Sequence, residues 1–229
     1  MESVGRSTFE RIAGVEVAPG VKASTYTPSD DRSVVNASAY RGYLLVSAGT
    51  RFGNLDWLAE GRATVAYAVR SQRNDGSWLN ALDGKDAFVD NFHACVALKS
   101  LVKVQRLLGD ETLTPLIARG YEFYKSRLLD AGGLPVVFAR RQRVTLQRRD
   151  LYGYAEGLNL AGLLQAADSD AASIADALVR DLLDHWVLEV RRPLRDPADG
   201  LRPQHDPLTP VGRRPRPSGR ACPMLLALS

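Results

Sequence analysis

The feature that most limits the fold is a recurrence. Three times the chain passes through a polar or turn-forming stretch, a helix apolar on most sides, a short loop, and a second helix apolar along one stripe. The first helices of these pairs begin near residues 36, 90 and 150, so the unit repeats about every 55–60 residues. A helical hairpin of this kind cannot bury its apolar face alone. Stacking on its neighbours does so, and a repeat architecture follows.

Residues 1–32 read as an irregular leading segment, with Pro19-Gly20 marking a turn. Ser33 or Asp31 is placed to cap the first inner helix, N-A-S-A-Y-R-G-Y-L-L-V-S-A-G. Its outer partner spans about Leu55 to Gln72, where Leu58, Gly61, Val65, Ala68 and Val69 form one stripe. Asn74-Asp75-Gly76-Ser77 then supplies turn residues. In the second unit Phe88, Phe92, Cys95, Val96, Leu98, Leu101, Val102 and Val104 leave little of the inner helix polar, as in a helix buried on most sides. Glu111–Leu129 is its outer partner, and Gly132-Gly133-Leu134-Pro135 is the expected stop. A short hairpin is expected over 135–147. Asp150 then opens the third inner helix and Asp170 the third outer one, where Ile174, Leu178, Leu182 and Trp186 recur every four residues.

Composition closes off several classes. A chain of 229 residues holds one large or two small domains. No apolar run approaches the roughly 20 residues of a membrane span, and the first residues, M-E-S-V-G-R-S-T-F-E-R, carry no apolar signal region. Two distant cysteines, Cys95 and Cys222, fit a reducing compartment, so a cytoplasmic location is expected. The net charge of +4 resides in the tail: residues 191–220 hold eight arginines against Asp196, Asp199 and Asp206, which leaves −1 for the rest. The main body has no spread of basic and aromatic residues of the kind that binds nucleic acid. Eight of the twelve prolines lie in this stretch or at Pro223, and no helix runs through it. A long basic loop, a polybasic partner-binding segment and an out-of-frame stretch are the three readings of it. A-C-P-M-L-L-A-L-S reads as a short terminal helix.

D-R-S-V-V-N-A-S-A-Y-R-G-Y-L-L, Q-R-N-D-G-S-W, F-V-D-N-F-H-A-C-V-A-L and D-L-Y-G-Y-A-E-G-L-N-L together resemble a bacterial family linked to exopolysaccharide biosynthesis. That family is similar to the (α/α)₆ toroids of six-hairpin glycosidases and to the toroids of prenyltransferases and terpene cyclases. V-D-N-F-H is the most specific piece, and the resemblance covers roughly residues 22–190. It implies an all-α fold, a partial (α/α) toroid of about three of six hairpins over residues 33–190, followed by a Pro/Arg-rich tail over 191–229. The expectation is a truncated ring with two bare apolar flanks, one at Tyr40, Tyr43, Leu44 and Leu45 and one at Leu158, Leu160, Leu163 and Leu164. Such flanks favour self-association or a partner.

In a toroid the N-termini of the inner helices ring one end of a cup. Asn36, Asp90, Asn91, His93, Asp150, Tyr152, Tyr154 and Glu156 all fall at such positions, with Trp78 on a preceding loop. Carboxylates for proton transfer, amides for hydroxyls and aromatic faces for the apolar side of a ring suit a sugar, which makes a glycan the expected partner. Asp90, His93 and Asp150 are the candidate acid/base residues, and Asn36, Trp78, Asn91, Tyr152, Tyr154 and Glu156 the candidate ligand contacts. Each has a purely structural alternative. Asp90 and Asp150 are ideal helix N-caps, His93 fits a hydrogen-bonded core position, and Trp78 fits a packing role beside its turn. His185 has no neighbour at metal-ligand spacing. No P-loop, dinucleotide signature or nucleophile elbow is found, so no cofactor and no metal is expected. A glycan-acting enzyme of hydrolase, lyase or epimerase type competes with a non-catalytic binding or scaffold protein or inactive fragment. The terpene-cyclase alternative lacks its acidic signature, since Asp30-Asp31 has the wrong spacing.

Overall fold

Helix starts and stops are written in side-chain chemistry. α2 (Val35–Phe52) ends where Gly53 takes a left-handed φ of 66°, and Asn54 caps α3 (Leu55–Arg70) by accepting from the Trp57 N–H at 3.0 Å. α4 (Asn91–Leu108) starts on Asp90 and ends at left-handed Gly109. Asp110 caps a 3₁₀ turn, Glu111–Leu113, that leads into α5 (Thr114–Arg127). α6 (Leu151–Leu164) starts on Asp150, and α7 (Asp170–Asp181) continues into a π-helical turn, Leu182–Val187. The computed structural model describes residues 2–12, 14–28, 33–82, 87–141 and 150–187. These lie within one compact unit, Met1–Arg191. Asp30, Asp31, the far half of the expected 135–147 hairpin, the Pro/Arg-rich stretch and the terminal helix lie outside the described residues.

The fold is an all-α partial (α/α) toroid: α2/α3, α4/α5 and α6/α7 are antiparallel hairpins. α4 sits between the other inner helices, packed on α2 on one side and α6 on the other. Leu98, Leu101 and Val102 of α4 are excluded from solvent with Ala39 and Val46 of α2, Tyr124 of α5, Leu160 and Ala161 of α6, and Leu178 of α7. The first hairpin is closest, because glycines face each other. A Cβ on Gly42 would lie 2.9 Å from the Val65 nitrogen, and one on Gly61 2.7 Å from the Val46 nitrogen. The two backbones touch where the sequence has no side chains.

Three expectations are corrected. Residues 1–32 are not irregular throughout: α1 (Glu2–Arg11) is followed by an antiparallel hairpin of β1 (Gly14–Ala18) and β2 (Val21–Ser24). Gly5 of α1 packs against Ala48 and Trp57, so the segment folds back onto the first hairpin. Its periodicity is faint because it is half solvated; Val15 and Val17 of β1 both remain exposed. Secondly, Val34 precedes α2 without any side-chain cap, so Ser33 does not serve. Backbone bridges from Val34 to Ser24 and Ala81 hold that start instead. The third concerns the stop of α5, which comes at Arg127, ahead of the glycines, with Gly133 in the turn that follows. β4 (Phe138–Arg140), in the near half of the expected 135–147 hairpin, pairs with β3 (Val89–Asp90), immediately before α4.

The flanks also differ from expectation. Leu45 is fully buried, in a small cluster with Ala48 and Trp57, and Tyr43 and Leu44 are half-buried. Tyr40 stays 52% exposed. At the far end Leu160 and Leu164 are buried, while Leu158 and Leu163 pack half-exposed against the core. Among the described residues no helix is long and apolar enough to cross a membrane.

Candidate functional site

The N-terminal end of α4 concentrates the polar chemistry. Asp90 is held extended by β3 and accepts the His93 backbone N–H at 2.8 Å, which caps the helix. That bond also brings the imidazole back over the carboxylate: His93 Nδ1 lies 2.7 Å from both Asp90 oxygens. On its other side Nε2 meets the Tyr26 hydroxyl at 3.1 Å. Tyr26 follows β2 on a stretch that passes the N-terminus of α2, and its hydroxyl donates to Asn36 Oδ1 at 2.9 Å, with Asn80 Oδ1 at 3.5 Å. Phe88 and Phe92 set their rings edge-on to the imidazole. A carboxylate, an imidazole and a phenol thus form one chain from β3 to the loop after β2.

Proton counting gives this chain two states. With Asp90 ionised, the Nδ1 proton points at it. A neutral ring then accepts the Tyr26 proton at Nε2; a charged ring donates to the phenol oxygen, whose proton goes to Asn36. The relay is able to carry a proton between a solvent-facing phenol, 47% exposed, and a partly covered imidazole. The aspartate orients the ring and balances its charge.

Two cavities adjoin the relay. The larger, about 570 Å³, is walled by α1, the loop after β2, α2, α4 and α6; Tyr26, Asn36, Tyr40, Phe92, Lys103 and Glu156 are among its lining residues. The smaller, about 190 Å³, is lined by Asp90, Asn91, Phe92, Asp150, Gly153 and residues of the 135–138 stretch. Phe92 lines both. It is 37% exposed, which corrects the expectation of a buried inner-helix residue; its ring meets His93 and the edge of Tyr152 instead of the core.

The remaining candidates divide. Asp150 caps α6 by accepting from the Gly153 N–H at 2.8 Å and faces Asp90 across the small cavity. Asn91 is buried and donates to the Leu128 carbonyl at 2.9 Å, tying α4 to the end of α5 while still lining that cavity. Glu156 lines the larger cavity and pairs with Lys99. Tyr152 is 71% exposed beside Phe92. Two residues are not brought to the site. Trp78 is buried, donates from Nε1 to the Ala68 carbonyl at 2.8 Å, and fills the space left by Gly120. Tyr154 is buried with its hydroxyl on Asp181 and its ring against Trp186. Tyr26 and Asn80 are site residues that the sequence analysis did not single out; the only cue to Tyr26 is an aromatic directly before the turn-forming T-P-S-D.

In the lining of the larger cavity Arg41, Lys99 and Lys103 outnumber the one carboxylate, Glu156. Burial, and then the charge of Lys99, holds the Lys103 ammonium below the usual lysine range despite Glu156 nearby. Burial pulls the Glu60 carboxyl upward, but hydrogen bonds from Lys22 and Arg41, with their charges, outweigh it and leave Glu60 below the usual carboxylate range. Burial, then the charge of Glu156, pushes the Cys95 thiol far up, and the thiol is not reactive there. Among the described residues no three His, Cys, Asp or Glu side chains gather in a way that could hold a metal ion.

No family model matches the sequence, and no curated protein matches it. Solved structures do. The unsaturated glucuronyl hydrolase of Bacillus sp. GL1 superposes with a TM-score of 0.57 at 15% identity, over 80% of this chain and 54% of that one. An unsaturated glucuronyl hydrolase specific for heparin gives 0.62 at 13% identity, over 79% and 54%. The GH76 alpha-mannanase of Bacteroides thetaiotaomicron gives 0.60 at 14% identity, over 78% and 56%. The chain therefore spans about half the length of the structures it matches. These are (α/α)₆ toroid glycosidases, and at such identities what this chain shares with them is the fold.

Proposed function

We propose that the chain acts on a glycan at the N-terminal end of its inner helices, by proton transfer through Tyr26 and His93, in the making or processing of bacterial exopolysaccharide. The observation that carries this reading is the Asp90–His93–Tyr26 chain at the wall of a 570 Å³ cavity. Sugar chemistry needs a group that takes a proton and one that returns it. The phenol faces the ligand, the imidazole shuttles its proton, and Asp90 holds the imidazole in place. Asp150 and Asn36 contact sugar hydroxyls, with Tyr152 and Phe92 as aromatic faces. Asn91 keeps the mouth in register. The toroid likeness agrees with a glycan ligand, and so does the resemblance carried by V-D-N-F-H.

Both Asp90 oxygens already engage His93, so the geometry suits lyase- or epimerase-like proton abstraction better than a hydrolase with two independent carboxylates. A second reading, a non-catalytic glycan-binding or scaffold protein, is favoured by the capping duty of both aspartates. One experiment separates them. Oligosaccharides are incubated with the chain in deuterated, ¹⁸O-labelled water and read by mass spectrometry. Deuterium on carbon marks abstraction with return of a proton, as in an epimerase, and an unsaturated fragment cleaved without uptake of water marks elimination. Incorporated ¹⁸O marks hydrolysis, and binding with none of these marks the scaffold. His93→Ala and Tyr26→Phe are expected to abolish label uptake or elimination, whichever the parent shows; that signal unchanged in both would end the relay reading.

A further inference from the structure

The donor and acceptor inventory of the larger cavity is lopsided. Three of its four serine and threonine hydroxyls are already committed as donors: Ser24 Oγ to the Thr25 carbonyl at 3.2 Å, Thr25 Oγ1 to the Thr27 carbonyl at 2.7 Å, and Ser100 Oγ to the Val96 carbonyl at 2.8 Å. Toward a ligand these oxygens offer lone pairs, and so accept from sugar hydroxyls. Among the charged lining residues, uncommitted donors remain on two cations. Arg41 is 97% buried and lines the cavity; Nη1 donates to Glu60 Oε1 and Thr64 Oγ1 at 3.0 Å, but Nε has no acceptor at all. Buried guanidinium N–H groups are rarely left so, because each costs its full desolvation penalty. Lys103 also lines the cavity. Among the described residues no carboxylate pairs with it, and its ammonium rests 5.0 Å from the Tyr43 ring centroid. Arg41, Lys99 and Lys103 stand against Glu156 alone in the lining, a surplus of two positive charges, and Glu60 behind Arg41 still leaves one.

We propose that this cavity takes an acidic sugar unit, its carboxylate received by Lys103 in the positive field of the Arg41 guanidinium and its hydroxyls by the Ser24, Thr25 and Ser100 oxygens. The inference rests on the glycan reading above and narrows it to uronate-type residues. Hydroxyl acceptors on one side and unspent cationic donors on the other fit a polyol bearing one negative charge. A neutral sugar would leave both cations unanswered. The apolar wall of Tyr40, Leu44 and Phe92 suits the ring's C–H face. Lys103 is partly buried, which depresses its ammonium, and an incoming carboxylate offsets that burial cost.

The test is calorimetric titration of the full chain with digalacturonate, with its dimethyl ester, and with a sulfated disaccharide of equal size. Digalacturonate is expected to bind about tenfold or more tightly than its ester, by the strength of a charge-assisted hydrogen bond, with the preference shrinking at high salt. Lys103→Met should erase the preference and Lys103→Arg retain most of it. Equal affinity for acid and ester, or a preference untouched by Lys103→Met, overturns this inference and leaves the glycan reading standing. Absence of binding by any of the three, with label uptake and elimination also missing for every oligosaccharide, overturns both. Tighter binding of the sulfated disaccharide overturns the carboxylate assignment. Where Lys103→Met fails to fold, the acid-to-ester ratio of the unaltered chain decides alone.

Discussion

The mouths of α4 and α6 are built alike and end on different partners. Each inner helix begins on an extended aspartate whose carboxylate accepts the backbone N–H three residues on, at 2.8 Å. Both then present an apolar buried face to the core. They part at the third helical position, where α4 has His93 and α6 has Gly153. The histidine returns over Asp90 and reaches on to Tyr26; the glycine returns nothing, and among the described residues Asp150 makes no hydrogen bond beyond its cap. A cap becomes a relay when the residue it caps carries a ring that hydrogen-bonds on both sides. The aspartate alone does not distinguish the two.

The largest expected effect tests that difference directly. Asp90→Asn keeps an oxygen for the His93 N–H but loses the charge that orients the imidazole. Label uptake or elimination in the assay above should fall by about 10²–10⁴, with the melting temperature barely moved. Asp150→Asn, which disturbs only a cap and a ligand contact, should cost about tenfold or less. Equal losses at the two positions would mean that the mouths are functionally alike and that the relay is incidental.

Below the mouths the two helices should respond alike. Leu98 of α4 and Leu160 of α6 are both wholly excluded from solvent. Leu98→Ala and Leu160→Ala should each cost about 2–5 kcal/mol in chemical denaturation, the range for a buried leucine. A loss under about 1 kcal/mol at Leu160 alone would place α6 outside the cooperative core. Phe92→Ala, on the rim of both cavities, should cost clearly less than either leucine.

The caps come next. Asp150→Ala should cost about 1 kcal/mol, the usual price of an N-cap. Asp90→Ala should cost more, because the imidazole loses its partner as well. Thermal unfolding of the two variants side by side reads the difference, and a larger loss for Asp150→Ala would contradict the account given for α4.

Much of this was legible in residues. The three hairpins follow from apolar stripes long enough to fix a period, and Asp90 and Asp150 announce themselves as caps before helices. Tyr26 was not legible. It stands in a polar stretch without periodicity, and only the fold-back of β1 and β2 onto the first hairpin carries it to His93. Trp78 carried two readings, a sugar contact and a packing residue beside its turn, and the choice between them is decided by Gly120, 42 residues later, where a side chain would collide with its ring. Tyr152 and Tyr154 are near neighbours in sequence but lie on opposite sides of α6, since two residues turn a helix by about 200°. Which of them faces the mouth depends on how the helix is rolled, and packing against α4 and α7 sets that.

The smallest predicted effect concerns the residue that separates the two mouths. Gly153 is buried within the first turn of α6, with a helical backbone that any residue adopts. A Cβ there would meet Pro135 Cβ at 3.4 Å, Asp150 Oδ1 at 3.6 Å and Asn91 Oδ1 at 3.8 Å, all ordinary contacts. Gly153→Ala should therefore stabilise the chain by about 0.4–1 kcal/mol, since alanine loses less backbone freedom than glycine on entering a helix. Gly42→Ala provides the contrast: its Cβ would press on the Val65 backbone, so it should destabilise. If Gly153→Ala raises the melting point and leaves label uptake or elimination within about twofold of the parent (under half a kcal/mol), the glycine is not required for the shape of the mouth, and the asymmetry rests on His93. If it stabilises but abolishes that signal, the small cavity beside Asp150 must be open for the reaction, and α6 contributes more to the chemistry than its single cap bond suggests.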